Sequence, residues 1–267
     1  IDDLSNSEAG VIDGIGRITG VKPPLAIFDL CDSSRIYDFF ERERNIDAII
    51  HFAAYKAVGE SVNKPLEYYR NNLLSLLNLL KAMQSRSIRS LVFSSSCTVY
   101  GEPETLPVSE EAPVLPATSP YGNTKQIGEE IIRDTVASSK TINAISLRYF
   151  NPIGAHKSAM IGELPQGVPE NLVPYITQTA IGIREELKVF GNDYNTPDGS
   201  CIRDYLHVTD LAKAHVIAVN RLIERKNRKE FEVFNLGTGK GVSVLEAINS
   251  FEKVTGIKLK YKITGRR

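Results

Sequence analysis

The sequence predicts an α/β protein that contains a doubly wound parallel sheet and a second, smaller mixed α/β domain. Short apolar runs alternate with longer segments whose apolar residues recur at helical spacing, and this alternation is typical of βαβ units. After Asn151 and Pro152 the alternation gives way to a stretch rich in Gly and Pro. We therefore expect a Rossmann-like nucleotide-binding domain at 1–152 and a smaller domain at 153–267 that returns in part to the first.

Each predicted element follows from its own residue pattern. Runs rich in Val, Ile, Leu and Phe predict buried strands at 25–28, 47–53, 89–96 and 143–150. Helical spacing predicts helices at 33–45, 66–83 and 120–138. Beyond residue 152 the same criteria predict helices at 172–184, 209–224 and 243–255, and short strands at 187–190, 232–235 and 259–263. We expect a ligand at the carboxyl ends of the parallel strands, where polar residues follow the apolar runs.

The composition argues against several classes of function. The 267 residues include 32 Lys and Arg against 32 Asp and Glu, so the chain has no net charge and no electrostatic footprint for nucleic acid. Its charge-free stretches reach only about ten residues, which is too short to cross a bilayer. Its three cysteines form no C-x-x-C pair and predict neither a disulfide framework nor a zinc site. We expect a cytoplasmic protein with no nucleic-acid or membrane partner.

Hydroxyl side chains follow the predicted strand at 89–96. Ser94, Ser96 and Thr98 are two residues apart, so in an extended chain their hydroxyls would share one side. The other interpretation is a polar strand-to-loop transition whose hydroxyls bond to nearby backbone groups.

A candidate catalytic pair lies at the start of the predicted helix at 120–138. Ser119 is a suitable N-cap, and Pro120 suits the first helical position. Tyr121 and Lys125 then lie on one helical face, where the ammonium would lower the pKa of the phenol toward that of a general base. Tyr-x-x-x-Lys is a weak signal alone. A hydroxyl-tipped strand about 25 residues earlier, within a βαβ pattern, makes it far more specific.

The remaining candidate residues carry weaker signals. Asp2 either ends a strand and grips ribose hydroxyls or is a solvated terminal residue. The chain contains no G-x-G-x-x-G and no GK[ST] motif, and the glycines at 237–241 are interpreted as a tight turn before a helix. Cys97 is expected to pack rather than to react. The four histidines lack metal-ligand spacing, so no metal site is predicted; they are His51, His156, His207 and His215.

Five longer segments resemble those of a known enzyme family. They are SSSCTVYGE at 94–102, SPYGNTK at 119–125, RYFNPIGAH at 148–156, VFGNDYNTPDGSCIRDYLHVTD at 189–210 and NLGTG at 235–239. Together they resemble the UDP-glucose/UDP-galactose 4-epimerases of the extended short-chain dehydrogenase/reductase family, over essentially the whole chain. The family's first strand, its glycine-rich phosphate loop and its C-terminal tail have no counterpart, so we expect a fragment. These residues by themselves are expected to bind NAD weakly or not at all, because the pyrophosphate would lack its helix N-terminus.

The resemblance implies an NAD-binding domain at 1–152, a UDP-sugar-binding domain at 153–267, and C4 epimerisation of UDP-galactose and UDP-glucose through a transient 4-keto sugar. It makes Tyr121 the catalytic base and acid, with Lys125 on the nicotinamide ribose and Ser96, helped by Thr98, on the same sugar oxygen. The implied cofactor-binding residues are Asp2, Asn6, Asp29, Leu30, Phe52, Ala53, Lys56, Asn71, Ser94, Tyr121, Lys125 and Tyr149. The implied substrate-binding residues are Ser96, Tyr121, Asn151, Asn171, Phe190, Arg203 and Arg267. A homodimer is also implied.

Three other functions stay open on the sequence. A 4-epimerase of another UDP-sugar, such as a UDP-N-acetylhexosamine or a UDP-pentose, stays open because the C-terminal tail that completes the family's sugar pocket has no counterpart here. A nucleotide-sugar 4,6-dehydratase needs carboxylates just after the strand-end hydroxyl, where this chain has Cys97, Thr98 and Val99. A non-catalytic NAD-sensing module need not keep Tyr121 and Lys125 together with the hydroxyls.

Overall fold

The structure, a computed structural model, describes residues 1–266. The helices, in chain order, are α1 (Val11–Thr19), α2 (Ser33–Arg42), α3 (Val58–Asn63), α4 (Pro65–Arg86), α5 (Pro120–Ser139), α6 (Leu172–Ala180), α7 (Val208–Ile223) and α8 (Val244–Thr255). The strands are β1 (Ala48–His51), β2 (Ser90–Ser94), β3 (Asn143–Tyr149), β4 (Asn151–Ile153), β5 (Leu187–Phe190), β6 (Ile202–His207), β7 (Phe231–Leu236), β8 (Gly241–Ser243) and β9 (Tyr261–Thr264). A 3-10 turn, Cys97–Tyr100, follows β2.

The chain divides into two compact units. The first consists of Ile1–Ser5, Pro23–Tyr149 and Asp210–Leu236. The second consists of Asn6–Lys22, Phe150–Thr209 and the described residues from Gly237 onward. Both units are therefore assembled from separate stretches of the chain.

The first unit is built on a parallel sheet with the strand order β1-β2-β3-β7. The register pairs Ile49 with Leu91 between β1 and β2, and Leu147 with Phe234 between β3 and β7. Because every pairing in this sheet is parallel, the carboxyl ends of its strands lie at one edge. This sheet confirms the predicted α/β fold class.

Helices cover both faces of this sheet. Successive side chains of a strand point to opposite faces, and the core residues of β2 follow that rule. Leu91 and Phe93 belong to a buried cluster with residues of α2, α4 and α5. Val92 belongs to a second cluster with Ala218 and Leu222 of α7. The sheet is thus doubly wound, as the alternating pattern predicts.

The run at 25–28 forms less structure than predicted. It contributes a single parallel bridge between Asp2 and Ile27, in which the Asp2 N–H donates to the Ala26 carbonyl at 3.1 Å. The pairing does not extend because Leu4 adopts a φ of 58°, which turns the chain away from the extended conformation directly after the bridge. The prediction of a full strand at 25–28 is therefore wrong, although a single strand-like bridge forms at this position.

The second unit contains two small sheets and its own core. In the sheet β4-β6-β8, β4 runs parallel and β8 antiparallel to β6. Strands β5 and β9 form a separate parallel pair. Buried apolar residues from α6, β5, α8 and the approach to β9 pack together in this unit; they are Ile176, Leu187, Val189, Ile248 and Leu259. This is the mixed α/β architecture expected for the smaller domain.

The boundaries of the two units differ in two places from the predicted single domain boundary at residue 152. Residues 210–236 join the first unit because β7 pairs with β3, with Ala144 opposite Phe231. Residues 6–22 join the second unit and contain α1, which the sequence does not predict because Gly14 and Gly16 disfavour a helix. Gly14 is needed there, since a Cβ at this position would lie 2.8 Å from the Ile161 side chain.

The packing of α5 against β2 gives a first testable prediction. Gly128 of α5 is buried, and a Cβ at this position would lie 3.0 Å from Phe93 and 3.4 Å from Leu76. We expect Gly128→Val to lower the free energy of unfolding by about 1–3 kcal/mol, because the added methyl groups overpack this contact. Urea denaturation measures the change. Glu130→Val, at an exposed position of the same helix, should cost less than about 0.5 kcal/mol, and equal losses would contradict the close contact.

Candidate active site

The chain turns shortly after β2, in a segment that contains the predicted hydroxyl residues Ser94, Ser96 and Thr98. Ser94 ends β2, and the Oγ of Ser96 accepts a hydrogen bond from the N–H of Thr98 at 3.2 Å, which caps the 3-10 turn. The chain is still extended at Ser96 but turns at Cys97, so the extended conformation in which all three hydroxyls would share one side does not continue to Thr98. The Oγ1 of Thr98 is buried and has no hydrogen-bond partner within residues 1–266. Local bonding of Ser96 to the backbone matches the alternative interpretation.

Helix α5 begins where the sequence predicts. The Oγ of Ser119 accepts a hydrogen bond from the N–H of Gly122 at 3.1 Å, and Pro120 occupies the first helical position. This start fixes Tyr121 in the first turn and Lys125 one turn later. Both side chains are buried, with relative exposures of 7% for Tyr121 and 4% for Lys125.

The Lys125 ammonium reaches the carboxyl end of β2. Its Nζ donates a hydrogen bond to the Ser94 carbonyl at 2.7 Å. It lies 5.8 Å from the ring centroid of Tyr121 and 5.0 Å from that of Phe93. Burial lowers the pKa of Lys125 to about 8, although the carboxylate of Glu129 acts in the opposite direction. The structure thus brings together the two side chains that the helical spacing pairs.

The phenol of Tyr121 behaves differently from the expectation. Burial raises its pKa, and the neighbouring Tyr149 adds to this effect, whereas a hydrogen bond with Ser96 lowers it. The pKa of Tyr121 is therefore shifted in the direction opposite to the predicted lowering, because the cost of burying a phenolate is the largest effect. The phenol stays protonated at neutral pH and is linked to the Ser96 hydroxyl.

Three more predicted cofactor residues lie at the carboxyl ends of β1, β2 and β3. The Ser94 Oγ and the Tyr149 hydroxyl are 2.6 Å apart. The Phe52 ring, 52% exposed, lies beside the ring of His215 with the centroids 4.5 Å apart. Ala53 and Lys56, which follow Phe52, are exposed. The edge therefore presents an aromatic face, hydroxyls and a buried ammonium.

Asn72 is a residue of this edge that the sequence interpretation misses. Its Oδ1 accepts a hydrogen bond from the Tyr55 N–H at 2.8 Å, and its Nδ2 donates to the Thr124 Oγ1 at 3.0 Å. Thr124 in turn donates to the Tyr121 carbonyl at 2.7 Å. The predicted cofactor residue Asn71 donates to the same Oδ1 at 3.1 Å. A buried Asn within an apolar helical segment is the only sequence signal for this link between α4 and α5.

The residues predicted around the adenosine fall into different environments. The carboxylate of Asp2 accepts a hydrogen bond from the Leu4 N–H at 2.7 Å, and that of Asp29 accepts one from the backbone two residues later. The side chain of Leu30 packs in the hydrophobic core, which leaves its backbone to flank a ligand. Asn6 is exposed and belongs to the second unit, whereas Asp2 belongs to the first.

Two predicted substrate residues lie on neighbouring strands of the second unit. Asn151 on β4 donates from its Nδ2 to the Asp204 carbonyl of β6 at 3.1 Å. Arg203, also on β6, is exposed, and its Nη1 donates to the Ile202 carbonyl at 2.7 Å. Asn151 lies opposite Tyr205 in the pairing of β4 with β6, whereas Arg203 lies opposite Val242 in the pairing of β6 with β8.

Two other predicted substrate residues lie on different elements of the second unit. Phe190 ends β5, in the separate sheet, and is 40% exposed. Asn171 precedes α6 and donates to the Glu163 carboxylate at 2.8 Å. Arg267 lies outside the described residues.

The glycine-rich turn at 237–241 is held by one carboxylate. Asp204 accepts hydrogen bonds from the N–H and the hydroxyl of Thr238 and from the N–H of Gly239, at 2.6–3.0 Å. The turn is followed by β8 and then by α8. The predicted tight turn before a helix is thus confirmed with a short strand in between, and Asp204 fixes it beside Arg203.

The carboxyl edge of the first unit suits a dinucleotide such as NAD. The Ser94 carbonyl uses one of the three donors of Lys125, so the ammonium can also bond ribose hydroxyls. The Asp2 carboxylate lies at the end of a strand-like bridge, where an acidic side chain binds the ribose in this fold. The exposed ring of Phe52 offers an apolar face. Within residues 1–266, no group of three His, Cys, Asp or Glu side chains is placed to hold a metal, and no helix is long and apolar enough to span a bilayer.

Comparisons with known proteins agree with this geometry. Residues 4–237 match the family described as the NAD dependent epimerase/dehydratase family. The UDP-glucose 4-epimerase of Bacillus subtilis is 48% identical over 267 residues, which are 100% of this chain and 77% of that protein. The human UDP-glucose 4-epimerase is 49% identical over 253 residues, 95% of this chain and 72% of that protein. The solved UDP-glucose 4-epimerase of Stenotrophomonas maltophila, with bound NAD and formylated UDP-arabinopyranose, has a TM-score of 0.94 and 47% identity, covering 100% of this chain and 78% of that chain.

The buried lysine gives a prediction about stability and pH. The folded-state pKa of Lys125 is lowered to about 8 from an unfolded value of 10.5, so the fold carries a costly buried charge below pH 8. That cost disappears as the pH rises from 8 toward 10.5, because the unfolded chain then binds more protons than the fold. The free energy of unfolding should therefore rise relative to that of Lys125→Met by up to about 1.4 kcal/mol per pH unit.

Urea denaturation of both proteins between pH 7 and pH 9.5 measures this difference. Lys81→Met, at an exposed position of α4, is the matched control and should show no such trend. A flat difference between the parent chain and Lys125→Met would contradict the burial of a titrating ammonium.

Proposed function

The chain belongs to the NAD dependent epimerase/dehydratase family, and we propose that Tyr121, Lys125 and Ser96 carry its reaction. That reaction is the NAD-dependent interconversion of UDP-glucose and UDP-galactose by inversion at C4 through a transient 4-keto sugar. The chain is accordingly an isomerase. The observation that supports these residue roles best is the phenol of Tyr121, bonded to Ser96 and adjacent to the buried Lys125 ammonium at the carboxyl edge of a parallel sheet.

The chemistry requires a group that moves a proton to and from the 4-hydroxyl. The hydrogen on C4 is not acidic, so inversion proceeds by oxidation of the alcohol and reduction of the ketone on its other face. NAD, when bound, accepts the hydride and returns it, and its positive charge favours a phenolate. Tyr121 takes the hydroxyl proton and gives it back, while Ser96 holds the same oxygen. Lys125 binds ribose hydroxyls and stabilises the phenolate.

The two units divide the binding of cofactor and substrate. We propose that the first unit binds NAD along the ends of β1, β2 and β3 and that the second unit binds the UDP part of the sugar nucleotide. The exposed Arg203 is suited to a diphosphate, because a guanidinium pairs with phosphate oxygens through two parallel hydrogen bonds. Asn151, Asn171 and Phe190 complete the proposed set, with Arg267 beyond the described residues. The hexose then stays loosely bound, because the 4-keto sugar must rotate in the site before it is reduced on its other face.

The turn after β2 separates this reaction from 4,6-dehydration. Elimination of water needs an acid and a base near C5 and C6, and the 3-10 turn Cys97–Tyr100 supplies no carboxylate. Epimerisation of a different UDP-sugar is the remaining alternative function. A solved relative from Campylobacter jejuni, a UDP-Glc/GlcNAc 4-epimerase, has a TM-score of 0.81 and 38% identity to this chain. We propose UDP-glucose and UDP-galactose as the principal substrates, and a comparison of turnover with N-acetylated UDP-sugars tests that preference.

We also propose a cytoplasmic location and a homodimer. The three cysteines are free thiols, which suits a reducing compartment. Sedimentation velocity tests the dimer by the mass of the purified protein, and a single species of monomer mass at micromolar concentration would contradict it.

Replacement of the phenol tests the proposed function. We expect Tyr121→Phe in the NAD-loaded enzyme to lower kcat for UDP-galactose by about 10²–10⁴-fold, because the proton acceptor is lost. The affinity for UDP, measured by calorimetry, should stay within twofold because Tyr121 does not bind the nucleotide. Tyr37→Phe, on the exposed side of α2, is the control and should keep full turnover. Near-normal turnover of Tyr121→Phe, or a 4-keto-6-deoxy product from the parent enzyme, would overturn the assignment.

A further inference from the structure

A buried ion pair lies directly beneath the proposed catalytic pair. The carboxylate of Glu129 on α5 faces the guanidinium of Arg148 on β3, with Nε–Oε1 at 2.9 Å and Nη2–Oε2 at 2.5 Å. Their side chains are only 3% and 4% exposed. The proposed reaction uses neither residue. Burying an ion pair is expensive and adds little net stability, so its position in the fold calls for another explanation.

Glu129 shares a helical face with both proposed catalytic residues. Tyr121, Lys125 and Glu129 are four residues apart in turn, so their side chains follow one another along one side of α5. The same carboxylate accepts a hydrogen bond from the Ser95 Oγ at 2.6 Å. Ser95 is fully buried. Glu129 thus ties the catalytic helix to the segment that follows β2.

That segment supplies the partners of the catalytic side chains. Ser94, before Ser95, offers the carbonyl that accepts the Lys125 hydrogen bond at 2.7 Å, and Ser96, after it, carries the hydroxyl that lowers the pKa of the Tyr121 phenol. A shift of Ser95 would therefore move both contacts together. Glu129 is the side chain that fixes Ser95 against α5.

Arg148 anchors the other end of the pair. Its guanidinium lies over the ring of Tyr100, 4.8 Å from the centroid, and the Tyr100 hydroxyl donates to the Asn235 Oδ1 at 2.6 Å. Tyr100 closes the 3-10 turn, and Asn235 belongs to β7. The pair is therefore held between α5, β3, the turn after β2 and β7.

We propose that Glu129, held by Arg148, is a positioning residue that fixes Ser94, Ser95 and Ser96 against α5 and places a carboxylate one helical turn from the Lys125 ammonium. The proposal rests on the proposed function, because it assigns Glu129 to the same site. Glu129 acts through these residues and does not itself touch the sugar or the cofactor.

The charges around Lys125 support the second part of the proposal. The groups that face it are Tyr121 and Glu129 on its own helix and His51 on β1, with Arg148 behind Glu129. Burial lowers the pKa of His51 to about 3, so this imidazole is neutral at working pH. Glu129 is thus the carboxylate that opposes the effect of burial on the pKa of Lys125.

Glu129→Gln in the NAD-loaded enzyme tests the role in catalysis. We expect kcat to fall about tenfold or more with the KM for UDP-galactose within twofold, because positioning rather than substrate binding is lost. The basic limb of the kcat–pH profile should move to lower pH by about half a unit or more, since Lys125 loses its proton more readily. Glu130→Gln, at the adjacent exposed position, should change neither quantity. A parent-like kcat and an unmoved basic limb in Glu129→Gln would overturn the proposal.

A second variant separates positioning from stability. Glu129→Gln leaves Arg148 unpaired and can destabilise the fold, whereas Glu129→Gln combined with Arg148→Gln removes both charges. We expect the double variant to regain thermal stability without regaining kcat. If kcat recovers together with stability, the ion pair acts only by stabilising the fold, and the proposal is overturned. Partial rescue of kcat by Glu129→Asp, which keeps the charge, is also expected.

A thermodynamic cycle tests the coupling without activity. The free energies of unfolding of the parent chain, Glu129→Gln, Lys125→Met and the corresponding double variant are compared between pH 7 and pH 9.5. Lys125 lowers the free energy of unfolding less as the pH rises. In the Glu129→Gln background, this gain in stability with pH should begin at a lower pH than in the parent chain. Additive effects at every pH would contradict the coupling. Because this cycle involves no sugar or cofactor, it can succeed even if Tyr121→Phe retains turnover and the proposed function fails.

Discussion

The hydrogen bond from the Lys125 ammonium to the Ser94 carbonyl is the interaction on which the site depends. It joins the first turns of α5 to the end of β2, so the helix that carries Tyr121 is fixed relative to the strand that leads into the hydroxyl-bearing turn. The parallel register places the ends of β1 and β3 at the same edge. The close packing of Gly128 on Phe93 brings α5 near enough for this bond to form.

Burial sets the protonation of the site in two opposite directions. It raises the pKa of Tyr121 and lowers that of Lys125, because each group loses the water that would stabilise its charged form. The phenol is therefore kept as a proton carrier, and its ionisation requires additional positive charge in the site. Glu129 opposes the effect of burial on the pKa of Lys125, and the proposed positioning role gives its costly buried ion pair with Arg148 a function beyond stability.

The second unit is held together by a different kind of contact, in which polar side chains bond to backbone turns. Its sheets are short, and many of its polar contacts converge on backbone turns. Asp204 holds the turn that carries Thr238 and Gly239, and it lies next to Arg203 on the same strand. An exposed guanidinium beside a rigid turn is suited to grip a diphosphate while leaving the attached sugar free to rotate.

The sequence by itself determined the fold class, the parallel sheet of the first unit and the start of α5, because apolar periodicity and helix capping are local signals. Ser119, Pro120, Tyr121 and Lys125 lie as the spacing predicts, since residues four apart on a helix are neighbours in any context. The turn after Ser94, the bonds of Asn72 and the pairing of Glu129 with Arg148 were decided only by the tertiary structure. These contacts join residues distant in sequence, and the direction of the Tyr121 pKa depends on how many neighbours exclude water, which no local pattern records.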